Sequence, residues 1–148
     1  RIVSVQNPYS LINRTYEVGM AEMSVREKVG LLAYSPLAFG MLTGKYLNGQ
    51  MPEGSRLKLY SKNFPRYQGT RSQLAVEEYY KIAQKYEMSL TQMSLAFVNM
   101  QPFVDSNIIG ATNMKQLEEN INSIHIDLSD EIIKDINAIH ENNPSPAP

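Results

Sequence analysis

Three short apolar runs of strand length alternate with helical segments along this chain, and this alternation constrains its fold more than any other feature. The runs cover residues 1–6, 29–34 and 106–109. Strands that alternate with helices indicate βαβ units and therefore a parallel sheet. The continuous apolar run at 29–34 favours a strand that is buried on both faces.

Helix signals separate these runs. Asn7-Pro8 is expected to end the first strand, because proline removes a backbone donor and restricts the residue before it. A capping box at Ser89–Gln92 and a capping serine at Ser129 each predict a helix start. The predicted helices cover residues 16–28, residues 72–86, a segment running from the Ser89 cap through Met100, a segment after Asn113 with Leu117, Ile121 and Ile124 on its apolar face, and a segment after Ser129.

The length of 148 residues and the hydrophobic share of 43% suit one compact unit, which we place at residues 1–141. Residues 35–71 lack clear periodicity, and a loop of that length is usually functional or mobile. The proline-rich segment 142–148 is expected to fray. Three strands cannot close a (β/α)₈ barrel of roughly 250 residues. The chain is therefore a small α/β domain or a piece of a larger protein. Because the first residue is Arg1 rather than Met, and a strand begins directly there, we expect a piece of a larger protein.

Composition excludes several functions. A net charge of −1 gives no basis for binding nucleic acid or an anionic membrane surface. No apolar window is long enough for a membrane span, and no secretory signal is present, so a cytoplasmic location is expected. The absence of cysteine excludes disulfides and thiol catalysis. His125 and His140 lie near helical, apolar sequence and are expected to be ordinary histidines rather than metal ligands.

Polar and small residues follow each predicted strand, where ligands bind in α/β proteins. Gln6 follows the first strand and could recognise an amide, although turn chemistry explains it as well. Tyr34 follows the second and could stack on a planar ligand, although a core aromatic is the more common explanation. Gly110–Asn113 follow the third and open a helix, whose N-terminus attracts anions.

The loop 35–71 is locally basic, because it contains several lysines and arginines but a single acid, Glu53. That balance suits an anionic ligand or a solvated loop equally well. Gly40–Lys45 fails the phosphate-binding P-loop pattern in spacing and in the residue after the lysine, so ATP or GTP binding is rejected. No residue pair makes a credible catalytic centre. The visible chemistry is recognition of a planar, anionic molecule, which a phosphorylated nucleotide fits.

Several motifs together resemble one known family. The motifs are residues 5–14, 33–40, 43–46 and 110–120, and the similarity covers essentially the whole chain. They resemble the aldo-keto reductase superfamily, most closely a bacterial branch and the potassium-channel β subunits. The resemblance implies an α/β fold that is the C-terminal half of a (β/α)₈ barrel. It also implies NADPH or NADP⁺ at the carboxyl ends of the strands, with the loop 35–71 covering the cofactor.

The resemblance also implies roles by position. Gln6 would bond the nicotinamide carboxamide, and Tyr34 would stack under the nicotinamide ring. Arg56, Thr112 and Gln116 would hold the adenosine 2′-phosphate, and Gly110 marks a position where relatives often carry a basic residue. The remaining residues implied in the cofactor site are Ser35, Pro36, Leu37 and Lys45 along the pyrophosphate, Gly40 beside them, and Glu119 and Asn120 on the adenine side.

The family's catalytic Asp, Tyr, Lys and His lie in the N-terminal half and have no counterparts in this sequence. We therefore expect an inactive chain from a parent that reduces aldehydes or ketones by hydride transfer. An NADPH-sensing regulatory subunit, like the channel β subunits, is the alternative, and a non-functional piece is the third possibility. The expected partners are a small carbonyl substrate for the parent, and either the missing N-terminal half of the barrel or a second copy of the chain.

Overall fold

A three-stranded parallel sheet is the centre of the fold in the computed structural model, which describes residues 1–60 and 62–148. The strands are β1 (Ser4–Pro8), β2 (Gly30–Tyr34) and β3 (Val104–Ile108), and β2 lies between the other two. The alternation of strands and helices therefore predicted the parallel sheet correctly.

Within residues 1–60 and 62–148, six α-helices accompany the sheet. The longest of them, α3, is followed after a short turn by α4, whose buried residues include nearly its whole length. A helix that is apolar on all sides must be surrounded by protein, and α4 fills the interior beside β3. The helices are α1 (Met20–Glu27), α2 (Arg56–Tyr60), α3 (Thr70–Lys85), α4 (Leu90–Asn99), α5 (Met114–Asn122) and α6 (Asp130–Asn142).

The predicted end of β1 at Asn7-Pro8 is wrong, because the strand continues through Pro8. Tyr9 donates its backbone N–H to the Tyr34 carbonyl at 3.2 Å. Successive backbone groups of a strand point to alternate sides, so the nitrogen of Pro8 faces away from β2. Among the described strands none pairs with that side of β1, so the proline removes no ladder bond from this sheet.

Within the described chain the sheet is covered on one face only, so the expected burial of the second face stays a prediction for the complete protein. Leu31 and Ala33 of β2 are fully buried against the helices. The opposite face carries Gln6 of β1 and Ser106 and Ile108 of β3, which are exposed. The helices of this chain cover only the first face, and the second is open.

Aromatic residues fill the core between the covered face and the helices. The Tyr9 ring stacks on Phe97 at 6.2 Å between centroids and meets Phe103 edge-on at 5.3 Å. The Tyr79 hydroxyl donates to the Leu11 carbonyl at 3.0 Å, which satisfies a buried polar atom. These contacts fix the segment after β1 against α3 and α4.

The segments predicted as one helix and one loop are both more divided than expected. Residues 16–28 form a 3₁₀ turn (Thr15–Val18) and then α1, because Gly19 between them leaves the helical conformation. Residues 35–71 contain α2 and several 3₁₀ turns. In this loop Ala38, Phe39 and Gly40 have successive positive φ angles of 48°, 60° and 95°, which reverse the chain within a few residues.

The segment 142–148 differs from the frayed tail expected. Ala147 is fully buried, and its backbone N–H donates to the Ile12 carbonyl at 3.0 Å. By contrast, the apolar face predicted for α5 is mostly uncovered, because Ile121 and Ile124 are exposed.

None of the helices in residues 1–60 and 62–148 has the length and apolar character needed to cross a membrane. The same residues contain no group of three or more His, Asp or Glu side chains that could hold a metal ion.

Candidate functional site

The carboxyl ends of the three strands lie at one edge of the sheet, and the predicted site residues are distributed along that edge. Tyr34 is the last residue of β2, is half-buried, and pairs with Pro8. Gln6 lies within β1 rather than after it, since the strand runs two residues longer than predicted. Gln6 pairs with Leu32, which is two residues before Tyr34 on β2. Because residues two apart on a strand share a face, Gln6 and Tyr34 both belong to the open face.

The turn after β2 is tightly closed by its own backbone. Ser35 has a φ of 55°, and its carbonyl accepts from the Ala38 N–H at 2.8 Å. The Leu37 carbonyl accepts from the Gly40 N–H at 2.8 Å. Pro36 is buried, whereas Ser35 and Leu37 are half-buried. The turn therefore presents Ser35 and Leu37 beside Tyr34, while the ring of Pro36 packs inward.

Gly40 makes room for the side chain of Lys45. A Cβ atom on Gly40 would lie 3.0 Å from Lys45 Nζ, and the φ of 95° also disfavours any other residue. The ammonium group lies 5.2 Å from the centre of the Tyr46 ring, within range of a cation–π contact. Gly40 thus leaves space for this half-buried cation.

The turn after β3 is preorganised by side-chain hydrogen bonds. Gln116 Oε1 accepts from the backbone N–H and the hydroxyl of Thr112, both at 2.9 Å. Asn113 Oδ1 caps α5 by accepting from the Gln116 N–H at 3.0 Å. These bonds occupy the Thr112 and Gln116 backbone donors and leave the side-chain amide N–H groups of Gln116 available to a ligand.

Arg56 crosses from the long loop to this turn. Its Nη2 atom lies 3.6 Å from the position of a Cβ on Gly110. Its guanidinium also lies 5.6 Å from the centre of the Phe39 ring. Two segments that are distant in sequence therefore meet beyond the strand ends, and any side chain at Gly110 would fill the space beside the arginine.

The charges of this region fit an anionic ligand. Glu53, the acid of the loop, pairs with Lys58. In the described part of the chain, no ion pair involves Lys45 or Arg56. Cations without acidic partners, such as these two, are suited to bind phosphate groups.

Glu119 and Asn120 are engaged elsewhere. Glu119 accepts a hydrogen bond of 2.6 Å from the Ser89 hydroxyl at the start of α4. Asn120 is buried, and its side-chain amide donates to the Gly110 carbonyl at 3.2 Å. In this structure Asn120 shapes the turn and Glu119 joins α5 to α4, and their contact with a nucleotide stays a prediction.

Sequence reasoning missed an aromatic cluster in the loop 35–71. Phe39 packs on Phe64 at 4.1 Å between ring centres and lies nearly parallel to Tyr67 at 6.0 Å. Arg56 lies against Phe39, and Arg66 lies against Tyr67 at 4.9 Å. The available signal was the alternation of aromatic and basic residues in a loop without helical periodicity.

A second polar network lies outside the candidate site. Arg14 pairs with Glu17 through two bonds of 2.7 and 2.8 Å and with Asn137 of α6 at 2.8 Å. Burial and the adjacent Glu17 carboxylate raise the pKa of Tyr9, which is fully buried. Because a ligand cannot reach Tyr9, we assign this network to packing rather than to catalysis.

Known proteins resemble this chain in sequence. It is 53% identical over all 148 residues to protein tas of Escherichia coli, and this match spans 42% of that protein. It is 38% identical over 144 residues to an aldo-keto reductase of Babesia bovis, covering 50% of that protein. It is 33% identical over 125 residues to the L-glyceraldehyde 3-phosphate reductase of Escherichia coli. The chain thus spans half or less of the length of these relatives.

The fold and the sequence family agree. The glycerol dehydrogenase of Gluconobacter oxydans, an aldo-keto reductase barrel, matches 96% of this chain with a TM-score of 0.76 and 25% identity. The match covers 43% of the dehydrogenase, which confirms the predicted fold class of part of a (β/α)₈ barrel. The family model described as "Aldo/keto reductase family" matches residues 1–141. The chain belongs to the aldo/keto reductase family.

Proposed function

We propose that this chain is the NADPH-binding half of an aldo-keto reductase whose complete protein reduces aldehydes or ketones. When bound, NADPH supplies the hydride for that reduction. The family resemblance implies that the catalytic groups lie in the other half of the barrel, so the residues described above would bind and orient the cofactor. Membership of the family and the reductase names of its relatives support this assignment.

Different residues would bind different parts of the cofactor. Tyr34 offers a half-buried ring for the nicotinamide, and Gln6 offers an amide on the same face of the sheet. Lys45 and the turn Ser35–Leu37 line the pyrophosphate. Arg56, Thr112 and Gln116 hold the 2′-phosphate that distinguishes NADPH from NADH.

One observation carries the proposal, namely the convergence of Arg56 and the Gly110 turn beyond the strand ends. The guanidinium and the N-terminal turn of α5 both favour negative charge. Glycine keeps the space beside the arginine open, and a phosphate group fits this combination of charge and room.

Titration of the full-length protein with NADPH and NADH, followed by cofactor fluorescence, tests the assignment. The wild-type protein is expected to prefer NADPH. Arg56→Ala is expected to weaken NADPH binding about 10- to 100-fold, since hydrogen bonds to charged groups contribute roughly 1.5–3 kcal/mol. NADH, which lacks the 2′-phosphate, is expected to lose much less affinity.

A matched control is Lys81→Ala, which removes an exposed cation on α3 and is expected to leave both affinities unchanged. If the wild-type protein binds neither cofactor, the proposed function is wrong. If it binds both equally, only the 2′-phosphate assignment fails. NADPH binding without oxidation by any aldehyde or ketone would instead favour the regulatory alternative.

The open face of the sheet supports a proposal about the partner. Gln6, Leu32 and Ser106 belong to that face, and β1 and β3 are edge strands. Unpaired strand edges and exposed apolar surface favour association with another protein segment. We propose that the N-terminal half of the barrel covers this face, and that a second copy of the chain replaces it only when that half is missing.

A further inference from the structure

The segment 143–148, which we call the strap, is seated in a groove next to the loop that follows β1. Ala147 has no exposed surface, and its N–H donates to the Ile12 carbonyl at 3.0 Å. The Ser145 hydroxyl accepts a hydrogen bond of 3.1 Å from the Arg14 backbone N–H. A buried methyl group, one backbone–backbone hydrogen bond and one backbone–side-chain hydrogen bond therefore hold the strap against this loop.

The strap also contacts the far end of the long loop. The Ser72 hydroxyl lies 2.9 Å from the carbonyls of both Pro146 and Arg66, so it joins the two segments. Arg66 Nη1 donates to the Pro148 oxygen at 3.3 Å. The position of Arg66 thus depends on the strap as well as on the start of α3.

A series of planar side chains connects Arg66 to the candidate site. The Arg66 guanidinium lies over Tyr67, and its Nη2 donates to the Tyr67 hydroxyl at 3.0 Å. The Tyr67 ring lies within 5° of parallel to Phe39, whose ring in turn contacts Arg56. The contacts form an unbroken series from the strap to the arginine beside the Gly110 turn.

The composition of the strap suits a positioning role. Its residues Asn-Pro-Ser-Pro-Ala-Pro carry no charged side chain, so none of its side chains forms an ion pair with Arg66. Within the described residues, no ion pair involves Arg66. Three prolines in six residues restrict the unfolded chain, which lowers the entropy lost when the strap is seated.

We propose that the strap positions Arg56 for the 2′-phosphate of NADPH, acting through Arg66, Tyr67 and Phe39. This inference rests on the proposed function. It assigns to residues outside the cofactor site a part of the preference for NADPH over NADH.

Ala147→Asp in the full-length protein tests the strap, because a carboxylate cannot be buried there and the segment must leave its groove. The dissociation constant of NADPH is expected to rise about fivefold, a size typical of coupling between distant groups. The constant for NADH is expected to stay nearly unchanged. Ala138→Asp is the matched control, because Ala138 is exposed on α6 and its replacement is expected to alter neither constant.

A double-mutant cycle that combines Ala147→Asp with Arg66→Gln tests whether the strap acts through Arg66. If the strap acts through Arg66, the double variant weakens NADPH binding no more than the stronger single variant does. Hydrogen exchange gives a readout without cofactor, and the amides of Phe64 and residues 66–68 are expected to exchange faster in Ala147→Asp than in Ala138→Asp.

The outcomes separate the two proposals. Three results would each contradict the proposed role of the strap without contradicting the proposed cofactor site. They are unchanged NADPH binding in a folded Ala147→Asp protein, an equal loss of affinity for both cofactors, and additive effects with Arg66→Gln. Failure of the wild-type protein to bind NADPH overturns both.

Discussion

At the scale of single residues, the buried pair of Arg14 and Glu17 explains how charge is tolerated beside the core. The Arg14 side chain is 11% exposed and that of Glu17 27%. Burial alone would raise the pKa of Glu17, but the hydrogen bonds from Arg14 and Tyr9 outweigh it and hold the pKa below its usual value of 4.5. The pair therefore depends on an ionised Glu17.

Glu17→Gln is expected to lower the free energy of unfolding by about 2 kcal/mol at neutral pH, because it leaves Arg14 buried with a neutral partner. A folded-state pKa below the unfolded one means stability that is present above pH 4.5 and lost as the pH falls through the lower folded value. The wild-type protein should therefore lose stability in acid more steeply than the variant. Urea unfolding of the full-length protein between pH 3 and 7 measures both effects.

Glu22→Gln is the control for this prediction. Glu22 and Arg26 form an exposed pair on α1, with side chains 67% and 74% exposed. Such pairs contribute roughly 0–1 kcal/mol, so this variant should keep nearly the wild-type stability and acid dependence. A Glu17→Gln protein that behaved in the same way would show that the buried pair is not ionised as described.

At the scale of the elements, β3 departs from a regular strand. The pairing with β2 shifts so that Asp105 has no partner between Val104 and Ser106. The displaced carboxylate occupies the space where a Cβ on Gly30 would lie. Gly30 is therefore required by its neighbour in the sheet rather than by its own backbone conformation.

Gly30→Ala is expected to cost about 1–2 kcal/mol, because the methyl group must displace the Asp105 carboxylate. Asp105→Ala alone should be nearly neutral, since that side chain is exposed. The double variant should recover most of the loss, which urea unfolding of the four proteins in the cycle would measure. Additive costs would mean that the two residues do not compete for this space.

The sequence predicted the type of most elements, because strand and helix periodicities are local. It failed where the sheet's surroundings decide the outcome. Pro8 is tolerated because no described strand pairs with its side of β1. This property is not encoded in the run of residues itself. The seated position of Ala147 likewise depends on a groove formed by distant segments.

The candidate site was predictable to the same extent. Strand ends of a parallel sheet share one edge, so residues following each strand could be grouped before the structure was known. The contact of Arg56 with Phe39 could not be predicted, since it depends on three successive positive φ angles in the turn after β2. Local sequence specifies strand ends, whereas the path of a long loop depends on packing between distant residues.

At the scale of the whole molecule, the two faces of the sheet differ in what covers them. The covered face is packed against helices of this chain, and the open face carries the groups assigned to the nicotinamide. The exposed residues Ile121 of α5 and Ile124 of the 3₁₀ turn after it add a second apolar surface. A cofactor bound at the strand ends would have protein on one side and water on the other until the open face is covered. Exclusion of water from an active site strengthens its electrostatic interactions and prevents side reactions.

We therefore expect the 148-residue chain alone to show no carbonyl-dependent oxidation of NADPH, while the full-length protein does so under the same conditions. Absorbance at the NADPH band, with aldehydes and ketones as substrates, measures the difference. Light scattering should find the isolated chain self-associated, because its open face and strand edges remain unpaired. Adding the N-terminal half as a separate chain should reduce this association and restore turnover. A monodisperse, active monomer of the isolated chain would contradict the division of labour proposed between the two halves.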